Sequence, residues 1–196
     1  MPLKSLSRCP LNDDLIRIQS LGAAGVARHG DALDRIFFAA SSVRNFPDAH
    51  ARARFRARWL GRYLDSEVDH AFVALAPDGA VIGYVVGMLV DAALDGRFAD
   101  IASVRIFAAI SSRYPAHLHI NVDVAWRGRG VGAKLIAAFT NHARAAGVDG
   151  LHIVTGAGMR NVGFYMTNGF REVARADVDG KPLVMLGLDL HGDATA

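Results

Sequence analysis

Between residues 116 and 147 the hydrophobic period of the chain changes abruptly, and the change runs through glycine. Ala116 to Val124 alternates apolar and polar side chains, as a strand does. Arg127-Gly128-Arg129-Gly130-Val131-Gly132 follows. Val131, Leu135, Ile136, Phe139 and Ala143 then recur at helical spacing, up to a closing Gly147. Glycines at a helix start let backbone N–H groups approach an anion, and the helix dipole adds partial positive charge there. Arg127 and Arg129 add full charges. The loop therefore reads as a pyrophosphate cradle; the plainer alternative is a surface turn that needs glycine for its backbone angles.

The identity of the anion can be narrowed. A Walker-type loop ends in Gly-Lys-Ser or Gly-Lys-Thr, whereas Gly132 is followed by Ala133-Lys134-Leu135. Gly128, Gly130 and Ala133 imitate a dinucleotide G-x-G-x-x-A pattern. That pattern also needs an acidic residue at the end of the next strand to hold a ribose. The next strand, Leu151 to Thr155, runs into Gly156-Ala157-Gly158 with no acid. A nicotinamide cofactor is thus the weakest of the readings.

The rest of the chain supplies alternating elements. Asp14 to Ser20 reads as a strand, and Gly30 to Ala40 and Asp48 to Leu64 as helices. Phe55, Trp59, Leu60 and Tyr63 form the apolar stripe of the second helix, with Arg52, Arg54, Arg56, Arg58 and Arg62 over the remainder. Those arginines share no face, so they describe a solvated helix rather than a nucleic-acid stripe. Ala71 to Ala76 and Ala80 to Val90 flank Pro77-Asp78-Gly79 as a hairpin. Asp91 to Pro115 is a long excursion with a helix expected over Ile101 to Ile110. Met159 to Asn168 reads as a short helix, and Phe170 to Ala174 and Leu183 to Leu190 as closing strands. Residues 1–11 and 191–196 read as loose ends of a single domain spanning 1–196.

With 196 residues, 52% of them apolar, and a net charge of +3, the chain can bury a core and accept a phosphate-bearing partner. No nucleic-acid partner is demanded by that charge. The longest apolar run, Ala80 to Val90, falls well short of the roughly 20 residues of a membrane helix. The N-terminal residues lack a continuous apolar segment, so neither a signal peptide nor a membrane anchor is expected. A single cysteine, Cys9, excludes an internal disulfide and fits a cytoplasmic protein.

The loop resembles the R/Q-x-x-G-x-G/A signature of the GCN5-related N-acetyltransferases, the GNAT superfamily, through Arg127, Gly130 and Gly132. Phe164-Tyr165-Met166-Thr167-Asn168-Gly169-Phe170 is similar to the F-Y-x-x-x-G-F segment of the same family. The order of elements agrees over nearly the whole chain. The resemblance implies a mixed, mostly antiparallel central sheet flanked by helices, acetyl-CoA as co-substrate and an amine acceptor. It also implies that Ile120, Asn121 and Val122 hold the pantetheine arm and thioester through backbone groups. Arg127, Gly128, Arg129, Gly130, Val131 and Gly132 would hold the pyrophosphate, and Tyr165 would be the general acid. Tyr114 to Ile120 is further similar to acetyltransferase-like domains associated with O-GlcNAcases. Two positions depart from the family pattern: Gly158 stands where many members have Asn, and Asn161 where many have Ala. Asn161 is a candidate replacement contact to the coenzyme.

The general base is open on sequence. His117, His119, Asn121 and Asp123 fall on one face of a regular strand. His119 or His117 could accept the amine's proton, directly or through water. Asp123 could do so if its pKa were raised, or could bind a cationic acceptor. A polar ladder satisfied within the protein is the structural alternative. No matching Cys/His/Asp set accompanies the histidines, so no metal is expected. Without a well-placed nucleophilic cysteine, direct attack in a ternary complex is the expected route. A coenzyme-binding interaction module without transfer activity is the second reading. The closing strands are a candidate surface for a homodimer.

Overall fold

The computed structural model describes residues 15–191. Cys9, Asp14, the loose end expected at 1–11 and all but His191 of the one expected at 191–196 lie outside the described residues. Among the described residues seven strands form one open sheet: β1 (Arg17–Ser20), β2 (Phe72–Leu75), β3 (Val81–Met88), β4 (Ala116–Val122), β5 (Gly150–Gly156), β6 (Arg171–Val178) and β7 (Lys181–Asp189). Their order is β1-β2-β3-β4-β5-β7-β6. Every neighbouring pair is antiparallel except β4 and β5. This is the mixed, mostly antiparallel sheet expected. No helix among the described residues is long and apolar enough to cross a membrane.

Each face of the sheet is covered. On one side α6 (Val131–Ala145) lays Val131, Leu135, Ile136 and Phe139 in one apolar cluster with Val85, Leu118, Leu151 and Ile153. On the other, α1 (Gly22–Ala40) contributes Leu33, Ile36 and Phe37, and the run from α2 (Ala49–Arg56) through a π turn (Ala57–Gly61) to α3 (Arg62–Ser66) contributes Leu60 from the turn and Tyr63 from α3, to a cluster with Val73, Tyr84, Val86 and Met88. Strand β3 is buried along its whole length, as a strand with both faces covered must be. Its tight turn from β2 closes through Gly79 at φ +85°, where Ala76 N–H donates to the Ala80 carbonyl at 2.9 Å.

Three helical expectations need correction, and the strand expected over Phe170 to Ala174 runs on to Val178. Helix α1 starts at Gly22 rather than Gly30. Gly22, Gly25 and Gly30 weaken the local helix signal, but Leu33, Ile36 and Phe37 bury against the sheet and carry the whole segment. The helix expected over 48–64 contains a π turn, Ala57–Gly61, between α2 and α3. The helix expected over 101–110 breaks at Phe107 into α4 (Ala102–Ile106) and α5 (Ala108–Ser111). Buried Phe98, Ile101 and Phe107 fold this excursion back onto the domain, and Ser111 Oγ donates to buried Asp91 at 3.0 Å to clip its base.

The arginines of α2, the π turn and α3 are more than a solvated face. Asp48 caps α2, its carboxylate accepting from Ala51 N–H at 2.6 Å. Arg56 then pairs with Asp34 of α1 at 2.7 Å, and Arg58 and Arg62 pair with Asp100 of the excursion at 3.0 and 3.1 Å. These pairs tie the helical run to the segments on either side of it.

Candidate active site

The parallel pair β4 and β5 is joined at only two positions, Ala116↔Leu151 and His117↔His152. Both strands continue, β4 to Val122 and β5 to Gly156, and each keeps its outer partner throughout. Their facing edges therefore part from Leu118 and Ile153 onward, and the sheet opens into a wedge. Backbone groups along that wedge have no strand partner among the described residues. Such groups need a partner from elsewhere. Ile120, Asn121 and Val122 all lie in the parted stretch of β4.

The glycine loop sits at the mouth of the wedge. A short 3₁₀ turn, Val124–Trp126, leads from β4 into Gly128 and Gly130, both at φ +76°, and α6 begins at Val131. A side chain on either glycine would meet nothing within 4 Å, so backbone angle alone calls for glycine there. Gly132 is different. It is helical, and a Cβ on it would lie 2.8 Å from Phe164 Cζ, so close packing between α6 and α7 (Arg160–Thr167) calls for glycine. Among the described residues no side chain caps α6, and its first N–H groups are directed at the loop. Arg127 Nε donates to the Val122 carbonyl at 3.2 Å, holding the end of β4, and the Arg129 guanidinium lies 4.5 Å from the Trp126 ring centroid.

The four polar residues expected on one face share it. Tyr63, on the α1–α3 side, brings its hydroxyl 2.9 Å from His117 Nε2 and 3.0 Å from His119 Nε2. Asn121 Nδ2 donates to the Tyr84 hydroxyl at 2.8 Å. Asp123 pairs with Arg35 of α1 and accepts from Ala125 N–H at 3.1 Å. Burial, helped by His152, pushes the His117 pKa well below its usual value, and burial pushes His119 down to about 4. Arg35 holds the Asp123 carboxyl below the usual carboxylate range. The raised pKa that a base at Asp123 requires is therefore reversed, because a guanidinium favours the charged form. Among the described residues no group of three or more His, Cys, Asp or Glu is placed to hold a metal ion.

Tyr165 belongs to the opposite face. It is buried on α7 in the cluster that contains Leu118 and Ile153, with its ring against Phe164 and Phe170. Burial raises its phenol pKa, which keeps it protonated near neutrality. Asn161 is exposed at the start of α7, and its side-chain amide is engaged by Thr155 of β5, at 3.0 and 3.1 Å. It latches α7 to the end of β5.

A wedge between parallel strands, a glycine turn at its mouth and a tyrosine on the following helix coincide with one family. The profile of the Acetyltransferase (GNAT) family matches residues 35–170. The chain belongs to the GNAT acetyltransferase family. Solved structures agree in fold. SsHAT aligns at TM-score 0.68 and 23% identity, over 89% of this chain and 98% of its own. The polyamine N-acetyltransferase of Drosophila melanogaster aligns at 0.64 and 15%, over 89% and 99%. A GCN5-related N-acetyltransferase from Kribbella flavida aligns at 0.62 and 16%, over 91% and 99%. At these identities the likeness establishes the fold.

In this GNAT acetyltransferase, the candidate residues divide between two faces. His117, His119, Asn121 and Asp123 stand on the α1–α3 side, and Tyr165 on the α6–α7 side. The wedge is the opening between them. Sequence reasoning missed three partners: Tyr63, Tyr84 and Arg35. Tyr63 was visible as part of the apolar stripe of its helix, but nothing local marks its hydroxyl as the bridge between two strand histidines.

Proposed function

We propose that this protein is an acetyl-CoA-dependent N-acetyltransferase that acts on an amine by direct attack in a ternary complex. The observation that carries the reading is the wedge between β4 and β5, opening beside an uncapped α6 N-terminus. The β4 groups that face the wedge, at Ile120 and the Val122 N–H, suit the amides of a pantetheine arm; the Val122 carbonyl accepts from Arg127, and Asn121 turns its backbone toward Tyr84 of β3. The N–H groups from Gly130 to Gly132 suit a pyrophosphate, with helix-dipole support. Arg129 is a further contact there, whereas Arg127 acts by holding the end of β4. Asn161 acts on the site by fixing α7 rather than through a free amide.

In the reaction the amine nitrogen bonds to the acetyl carbon and the carbon–sulfur bond breaks. The nitrogen loses one proton, and the departing thiolate gains one. Tyr165 is the donor on the thiolate side: a buried, neutral phenol that supplies either a hydrogen bond or its proton. On the acceptor side Asp123 is held ionised by Arg35, and His117 is sealed in the core. His119, half-buried and in the parted stretch of β4, is the histidine available to the reactants. The amine's proton passes to solvent at the mouth of the wedge.

The test is a thermal shift with acetyl-CoA, CoA and NAD side by side. A ligand at 100 times its Kd stabilises by about 2.7 kcal/mol. Stabilisation by both CoA forms but not by NAD is expected, and no response to either CoA form overturns the reading. Release of free CoA across a panel of amines, including agmatine, spermidine, an amino sugar and a short peptide, then separates an enzyme from a binding module. No release from any of them favours the module.

A further inference from the structure

The contact between Tyr63 and the two β4 histidines contains more than two hydrogen bonds. One hydroxyl has one hydrogen. It stands 2.9 Å from His117 Nε2 and 3.0 Å from His119 Nε2, so it can donate to one ring nitrogen and must accept from the other. Burial keeps both rings neutral near pH 7.5. Two neutral rings bridged this way must be in opposite tautomers. One carries its proton on Nε2 and the other on Nδ1.

The direction of the bridge follows from a third atom. His117 Nδ1 is sealed from solvent and has no hydrogen-bond partner among the described residues. If the His117 proton sat there, it would be a buried N–H without an acceptor, which folded proteins rarely tolerate. The proton therefore sits on His117 Nε2 and is donated to the Tyr63 oxygen. Tyr63 in turn donates to His119 Nε2. That leaves the His119 proton on Nδ1, on a half-buried ring in the parted stretch of β4. The π turn Ala57–Gly61 lies just before Tyr63 and also holds Trp59, whose ring meets His119 edge-on with centroids 5.9 Å apart. Local π turns of this kind are frequent at functional sites. Tyr63 and Trp59 together fix the plane of the His119 ring.

We propose that Tyr63 is a positioning residue that locks His117 and His119 in opposite tautomers, so that His119 presents an Nδ1–H donor to the wedge instead of a basic lone pair. His119 then offers the reactants a hydrogen bond and does not take the amine's proton through Nδ1. The placement of this donor at acetyl transfer rests on the function proposed above; the tautomers themselves do not.

The experiment is long-range ¹H–¹⁵N correlation NMR on the full chain carrying ¹⁵N-histidine, recorded without ligand at pH 7.5, paired with calorimetric titration of acetyl-CoA. The wild type is expected to show a protonated Nε2 at His117 and a protonated Nδ1 at His119. In Tyr63→Phe, His119 should move to the Nε2–H form or a mixture, with acetyl-CoA affinity kept within about threefold. A second variant, His117→Gln, keeps an N–H in place of Nε2–H, and His119 should retain its Nδ1 proton. A wild-type spectrum with His119 protonated on Nε2 overturns the proposal, whatever the variants do. So does a His119 signal that ignores the loss of the Tyr63 hydroxyl. If the wild type fails to bind acetyl-CoA, the acetyl-transfer reading falls, while the tautomer assignment is still decided by its own spectrum.

Discussion

A Cβ placed on Gly132 would stand 2.8 Å from Phe164 Cζ, so the first turn of α6 and the ring next to Tyr165 are in direct contact. The glycine loop and the tyrosine, separated by more than thirty residues, are thereby packed against each other. Gly132→Ala gains helix propensity but must push Phe164 aside. We expect a net loss of about 1 kcal/mol, together with weaker binding of acetyl-CoA. Gly87→Ala is the contrast. There a Cβ would lie 2.2 Å from the His117 carbonyl oxygen, backbone that cannot move aside, and the variant should fail to fold. Urea titration of both variants checks the pair.

Tyr165→Phe keeps the ring in its apolar cluster and removes only the hydroxyl. Turnover should fall by roughly 10²-fold, within the range for loss of a general acid, while Kd for acetyl-CoA changes little. Steady-state kinetics and calorimetric titration separate the two quantities. Equal losses in both would make Tyr165 a packing residue.

Arg35→Gln should raise the Asp123 pKa, since the guanidinium is the largest cause of its depression. The Arg35 side chain is 57% exposed, so the pair contributes less than about 1 kcal/mol. Its share is present above the unfolded carboxyl value near 3.9 and is lost as pH falls through the depressed folded value. A ¹³C titration of the Asp123 carboxyl follows the shift directly.

Acid should destabilise the fold well before carboxylates titrate. His117, His119, His142 and His152 are all lowered, burial being the first cause in each. In the unfolded chain they protonate near 6.5, while the folded state resists, so the unfolded state binds more protons. Stability is complete above about pH 6.5 and declines as pH falls, reaching about 4 for His119. We expect His119 alone to contribute about 1–2 kcal/mol of that decline. Urea unfolding at pH 7.5, 6 and 5, with His119→Asn giving a shallower slope, measures it.

Much of the architecture was legible because period and punctuation agree. The hairpin around Pro77-Asp78-Gly79, the alternation of β4 and the stripe of α6 place three of the site's neighbours within a residue or two. The start of α1 and the split at Phe107 were not legible, since propensity there is weak and burial decides. The polar row on β4 was legible as a row. Its partners were not, because Tyr63 and Arg35 come from helices more than fifty residues away in the chain and Tyr84 from the neighbouring strand β3.

The sequence by itself determined the local devices: left-handed glycines before a helix, one strand face with four polar groups, and a tyrosine on the helix after the next strand. These depend on side-chain period and backbone angle, which are properties of neighbours in the chain. Only the tertiary structure decided what each device meets. It parts β4 from β5 after two pairs, sets Tyr165 and the histidines on opposite faces, and turns Asp123 from a potential base into the partner of Arg35. Those outcomes follow from which distant groups share a buried surface, and the electrostatic character of a group is set by that company rather than by its place in the chain.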